Sequence, residues 1–263
     1  ALVGTETPLK LYVVANAGDV FDHSAPDAGM TEVEVKKVLD KAFTSGGFTG
    51  DLPMSGYVEL PEGIKASGNY TLPVTVLRSV ARVDVVKDLA EGSTDFILEK
   101  VYAFRANDKI QLIPDALAAT STPKVTSPSI PGASGFLGSP VMISETSGVE
   151  SISQLYLPEA KAAASNADKQ TGVTTIVVAG RFGGPESSLS YYRADFDSGI
   201  DGHPFGQILR NHRYVFRIKK VTGTGWSTPE DAANNLSTSM LVDVQAWEDF
   251  SSDIYLGDQR FAI

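Results

Sequence analysis

Asp195, Asp197 and Asp201 form the one cluster in this sequence whose types and spacing could hold a metal. Carboxylates at i, i+2 and i+6, with Gly199 and Gly202 to bend the chain, resemble the start of a calcium loop. The pattern departs from the helix-flanked calcium loop at its fifth position, Gly199, and at its twelfth, where Gly206 stands instead of glutamate. An acidic hairpin turn accounts for the same residues, and no metal is expected. His23, His203 and His212 lie far apart, without the paired spacing of a helical zinc site. His212, between Asn211 and Arg213, is expected to make a structural hydrogen bond. There is no Gly-x-Ser-x-Gly elbow and no Gly-Lys-Ser/Thr phosphate loop. Gly223-x-Gly225 follows a strand, but Thr228 takes the third glycine's place and no βαβ unit surrounds it, so a plain turn is expected. These absences lead to the expectation of a chain with no catalytic residues and no cofactor.

The elements that would carry such a chain are mostly strands. With 263 residues there is enough chain for one large domain or two of ordinary size. A net charge of −10 disfavours nucleic acid and anionic membrane surfaces as partners, since both attract basic patches. There are no cysteines, which excludes disulfides and thiolate ligands. No apolar run is long enough to form a transmembrane helix. The opening residues, ALVGTETPLK, lack a basic region followed by an apolar one, so any signal peptide is expected to have been removed or to lie outside this sequence.

Leu9–Ala15 predicts a buried strand. Thr31 to Phe43 predicts a helix: Thr31 and Glu34 make a capping box, and Val35, Val38, Leu39, Ala42 and Phe43 recur at helical spacing. Val74–Val86 reads as a long strand, with Phe96–Phe104 as its hairpin partner across the Glu91-Gly92-Ser93 turn. Pro114 to Gly148 is rich in Pro, Ser, Thr, Gly and Ala and reads as a linker. Strands follow at 152–157, 173–179 and 189–196, with an ordered loop preferred over a helix at 159–169. Tyr214, Phe216 and Ile218 alternate with Val215, Arg217 and Lys219 in a further strand. Thr228, Pro229 and Asp231 start a short helix, and Met240, Val242, Val244 and Ala246 share a face of the last strand. The pattern predicts an all-β chain with minor helix, divided into an N-terminal sandwich with one helix, 1–150, and a C-terminal sandwich, 151–263, with a tail.

The tail, EDFSSDIYLGDQRFAI, continues past the last strand and carries more apolar side chains than an exposed segment needs. Phe250, Ser252, Ile254 and Leu256 fall on one strand face; Gly257-Asp258 allows a bend, and Phe261 and Ile263 resume the pattern. A one-faced apolar strand suits insertion into another open sheet.

The block Arg210-Asn211-His212-Arg213-Tyr214, continuing through Gly223-x-Gly225 and Thr228-Pro229-Glu230 to Trp247, resembles the fimbrillins, subunits of the type V pili of Bacteroidales-like bacteria. The resemblance extends to Leu155-Tyr156-Leu157-Pro158-Glu159, Tyr191-Tyr192-Arg193, Leu52-Pro53-Met54-Ser55 and Val101-Tyr102-Ala103-Phe104. It implies two tandem transthyretin-like antiparallel β-sandwiches and export as an outer-membrane lipoprotein precursor. It also implies removal of an N-terminal strand by a protease, and polymerisation by donor-strand exchange into a cell-surface fimbrium that supports adhesion. The partners implied are other pilin subunits, including tip or anchor subunits, together with host surface proteins or glycans. The donor residues would be Phe250, Ile254, Leu256, Phe261 and Ile263. The alternative is a monomeric surface sandwich that binds glycan, with Trp226, Tyr191 and Tyr192 as platforms.

Overall fold

The computed structural model describes residues 6–17, 29–48, 50–65, 71–115, 125–197, 203–236 and 239–248. Its strands are β1 (Leu9–Ala15), β2 (Asp40–Ala42), β3 (Met54–Leu60), β4 (Leu77–Arg78), β5 (Ala81–Lys87), β6 (Phe96–Phe104), β7 (Lys109–Gln111), β8 (Val141–Val149), β9 (Ser151–Leu157), β10 (Thr175–Phe182), β11 (Leu189–Asp195), β12 (His212–Val221) and β13 (Met240–Glu248). Three short helices accompany them: α1 (Glu32–Val38), α2 (Asn166–Thr171) and α3 (Pro229–Asn234). The all-β class is as the pattern implied. No helix among the described residues is long and apolar enough to cross a membrane.

Two four-stranded sheets, ordered β11-β10-β6-β8 and β13-β12-β5-β9, make the body of the protein. β10 reads TIVVAGRF, and its β-branched run is buried on both faces. Ile176 and Val178 enter the core between the sheets, while Val177 is covered by Ala232 and Ala233 of α3. From β12, Tyr214, Phe216 and Ile218 face that core, as their alternation predicted. Phe196, just past β11, meets Tyr214 and Phe216 edge to face, with centroids 5.2 and 5.1 Å apart. Gly180 lies at a register shift between β10 and β6, where a Cβ would sit 2.2 Å from the Phe96 ring. Only glycine fits beneath that ring.

The pairing departs from the predicted hairpin. β5 and β6 lie in different sheets: β5 pairs in parallel with β12 and antiparallel with β9, while β6 lies between β10 and β8. Each strand has one face in the common core, and the turn at residues 91–93 carries the chain from one sheet to the other. The division expected at residue 150 therefore does not separate two sandwiches, because both sheets combine strands from either side of it. The stretch read as a linker contains all but the last residue of a nine-residue edge strand, β8. The long strand expected over 74–86 is broken at Ser79–Val80 into β4 and β5. At 159–169 the preference for a loop is corrected as well: Ser165 accepts from the Asp168 amide and caps α2.

The register of β5 against β9 depends on a buried carboxylate. Asp84 has no exposed side-chain surface. It accepts from Arg82 Nε at 2.9 Å, from the Gln154 amide at 2.9 Å and from Arg213 Nε at 2.6 Å. Burial works to raise its pKa, but these three donors outweigh it and hold the carboxyl below its ordinary value. Gln154, with φ of 65°, takes up the bulge opposite.

A second layer packs on the sandwich: the β1-β3-β4 sheet, the β2-β7 pair and α1. The Thr31–Glu34 capping box forms as predicted. The helix stops at its Leu39 C-cap, however, and Asp40–Ala42 turns into β2. Leu39 and Phe43 still enter the main core, now from the end of a helix and the end of a strand.

Candidate subunit interface

The second layer leaves an open groove of about 840 Å³ on its surface. Asp40 pairs with Gln111 and Ala42 with Lys109, so these residues share one face of the β2-β7 pair and form the floor. Glu32, Val33, Lys36 and Lys37 of α1 make one wall, and Pro131–Ala133 make the other. The far wall is held by Asp108, whose Oδ1 accepts from the Gly135 amide at 2.8 Å and Ser134 Oγ at 3.1 Å. On the near wall, Glu32 is engaged by Lys36 Nζ at 3.0 Å, by Lys10 Nζ at 3.5 Å and by the Tyr12 hydroxyl. These contacts, the Tyr12 bond first, hold its carboxyl well down, at about 2. They also tie α1 to β1.

The floor is locked to the sandwich by a buried ion pair. Arg210 is essentially without exposed surface and Glu159 nearly so. Arg210 Nε and Nη2 reach Glu159 Oε2 at 2.9 and 2.7 Å, and the other two donations go to the carbonyls of Leu112 (2.8 Å) and Gln111 (2.7 Å) at the end of β7. Glu159 also accepts from the Arg210 and Ser129 amides. Each guanidinium nitrogen and each carboxylate oxygen of the pair thus has a partner, the condition for keeping such charges inside a core.

Asp40 is the strained group of the floor. Its Oδ1 is buried and has no hydrogen-bond partner. Burial pushes its carboxyl up to about 6; Asp115 adds to the rise, while Lys109 and Lys37 oppose it. A carboxyl whose pKa is raised on folding destabilises the fold once ionised, so the penalty develops as pH rises from about 4 through 6. Asp40→Asn, neutral throughout, is expected to stabilise the protein at pH 7.5 by about 1 kcal/mol after discounting for partial exposure, and to have no such effect near pH 3.5. Paired melting curves at the two pH values check this; an equal effect at both would remove the titration of Asp40 as the cause.

The residues singled out in the sequence fall elsewhere. Both oxygens of Asp195 are taken by Arg193 Nε, at 2.8 and 3.0 Å, and Oδ1 also accepts from Thr175 Oγ1 at 2.7 Å. The remaining Arg193 donors, with Arg105, bind carbonyls at the ends of α2 and α3, including Gln170 and Ala233. Two cations thus satisfy helix C-termini, where carbonyls lack partners. Asp197 follows, its amide donating to the Asp195 carbonyl at 2.8 Å, and Asp201 lies outside the described residues. No group of three or more potential metal ligands occurs among the described residues. Buried His212 places Nδ1 2.9 Å from the Arg210 carbonyl. Of the aromatic platforms, Tyr192 is fully buried, with its hydroxyl on the Gly223 carbonyl, which removes it from the surface. Tyr191 is half-buried, and Trp226 is exposed beside it through a backbone bridge. Gly225 permits that bridge, since a Cβ there would lie 2.3 Å from the Tyr191 carbonyl. The donor residues Phe250, Ile254, Leu256, Phe261 and Ile263 lie outside the described residues. β13, which leads to them, pairs with β12 through the His212–Glu248 register and is the last strand of its sheet.

No family model matches the chain, and no curated protein does. Solved structures do. A candidate cell adhesion protein from Parabacteroides distasonis superposes with a TM-score of 0.57 at 16% identity, over 93% of this chain and 84% of that one. A second from the same organism gives 0.55 at 15%, over 94% and 78%. One from Bacteroides eggerthii gives 0.51 at 18%, over 91% and 77%. The chain shares their fold. The Lys-walled groove was not anticipated from sequence. Its lysines, at 36, 37, 41 and 109, come together only when β2 pairs with β7.

Proposed function

We propose that the chain is a structural subunit of a cell-surface fimbrium, joined to its neighbours by donor-strand exchange through residues 250–263. The observation that carries this reading is the position of β13. It is an edge strand, and a segment with one apolar strand face follows directly from it. Burying Phe250, Ile254, Leu256, Phe261 and Ile263 at ~1.5–3 kcal/mol each would contribute on the order of 7–15 kcal/mol before ordering costs. The fold shared with candidate adhesion proteins and the fimbrillin-like C-terminal block support the same reading. Its finer parts are an outer-membrane lipoprotein precursor and proteolytic removal of an N-terminal strand. The partners are further copies and accessory subunits, and the role is mechanical and adhesive rather than catalytic.

Deleting residues 251–263 is expected to leave a monomer with unchanged melting temperature and to abolish filaments in electron micrographs. Filaments formed by the truncated protein would refute the exchange. A markedly lower melting temperature of the monomer would show instead that the segment folds back on its own domain.

A further inference from the structure

We propose that the loop over 130–136 and the clefts on its two sides bind a linear acidic polysaccharide built on uronate sugars. Such binding requires no polymer and is independent of donor-strand exchange.

The loop is held in place at both ends. The Ser134 amide donates to the Pro131 carbonyl at 2.9 Å, closing a turn, and Asp108 takes the Gly135 amide and Ser134 Oγ. Phe136 bridges Asn107 through the backbone, and the Leu137 amide donates to the Ala106 carbonyl at 2.9 Å. Pro131 and Gly132 line both the groove of about 840 Å³ over β2-β7 and a second cleft of about 310 Å³. The two clefts are therefore neighbours across one fixed ridge, and both volumes fall in the range of ligand sites. Adjoining clefts suit a linear oligomer better than a single small acid.

The second cleft supplies a ring and a cation. Phe136 is 47% exposed on backbone that the Asn107 bridge fixes, and Ser134, Lys161 and Thr174 line the same cleft. A rigidly carried aromatic ring among polar groups suits a pyranose, which has an apolar C–H face and a polar edge.

The groove supplies the charge. The whole chain carries −10, yet four lysines line the groove against three carboxylates, Glu32, Asp40 and Asp115. Lys36 is engaged with Glu32 at 3.0 Å, and Lys41 Nζ lies over the Phe48 ring, 5.4 Å from its centroid. Lys37 and Lys109 are close enough to oppose the upward shift of the Asp40 carboxyl, yet neither donates to its buried Oδ1. Asp115 is already held by Gln111 Nε2 at 2.7 Å. Two ammonium groups thus stand beside an acceptor that lacks a donor. A uronate matches both, with its carboxylate on the ammonium groups and a ring hydroxyl donating to Asp40. An acidic peptide brings carboxylates without the pyranose face that suits Phe136. Protonation of Asp40 removes a carboxylate that repels the uronate, so affinity rises as pH falls through about 6.

The probe is the hexasaccharide of alternating glucuronate and N-acetylglucosamine, titrated by calorimetry into the full chain at low salt. Saturable binding is expected, about threefold tighter at pH 5.5 than at pH 7.5, and equal at the two pH values in Asp40→Asn. Phe136→Ala is expected to weaken binding roughly fivefold and Phe136→Tyr to preserve it. Lys37→Glu with Lys109→Glu is expected to weaken it roughly tenfold, with an unchanged melting temperature. Lys37→Glu alone, at an exposed position, is expected to weaken it roughly threefold, which separates a lost contact from a disturbed β7. Equal affinity for the neutral N-acetylglucosamine hexamer would overturn the proposal, since charge would then not be read. Equal affinity for hexaglutamate would overturn it in favour of an acidic peptide. Absence of binding, or binding unaffected by Phe136→Ala or by Lys37→Glu, would overturn it as well.

Discussion

Arg210→Ala is expected to lower the free energy of unfolding by about 3–5 kcal/mol, as loss of one partner of a buried ion pair does. Glu159 would be left as an enclosed carboxylate, keeping the Ser129 and Arg210 amides but losing its counter-charge. The two carbonyls would fare differently. That of Leu112 keeps the Ser55 and Ser79 hydroxyls, at 2.5 and 3.2 Å, whereas that of Gln111 loses its Arg210 donor. Damage should therefore concentrate at the end of β7, beneath the groove. Denaturant titration gives the magnitude, and the double variant Arg210→Met with Glu159→Leu supplies the control. Removing both charges should cost less than removing either alone. A single-variant loss below about 1 kcal/mol would mean that water or a rearranged neighbour replaces the pair.

Leu39→Asp is expected to cost about 4 kcal/mol or more, because it deletes a packed side chain and buries a charge in its place. Leu39 is 5% exposed and shares the main core cluster with Phe43, Ile110 and Leu112. The position couples α1, β2 and β7, so the loss should appear first in the second layer. Hydrogen exchange should accelerate over β3 and β7 while β10, buried on both faces, stays protected. A melting temperature unchanged by the substitution would show that Leu39 does not anchor this layer.

Both substitutions act on the floor of the groove, which consists of two three-residue strands. Such short strands are marginal alone and depend on what anchors them. Arg210 secures β7 from below, and Leu39 secures the junction of α1 and β2.

Local pattern alone settled much of this molecule. The bounds of β1, the faces of β12, the Thr31 capping box and the Thr228-Pro229 helix start all depend on neighbours within a few residues, where side-chain period and capping chemistry decide the outcome. The helix over 31–43 was overextended because Ala42 and Phe43 continue the helical spacing. Pairing of β2 with β7, distant in sequence, took the place of a helical continuation from Leu39 to Phe43. Strand partners were beyond reach for the same reason. An alternating strand shows which face is buried, but not which sheet it joins. Thus Val83 and Val85 fit a hairpin with β6 as well as the parallel pairing with β12 that the structure adopts. The fully buried Arg210 had no local signature either. It is tolerated because Glu159 and two carbonyls converge on it from residues 51 to 99 positions away, and only the tertiary fold supplies that convergence.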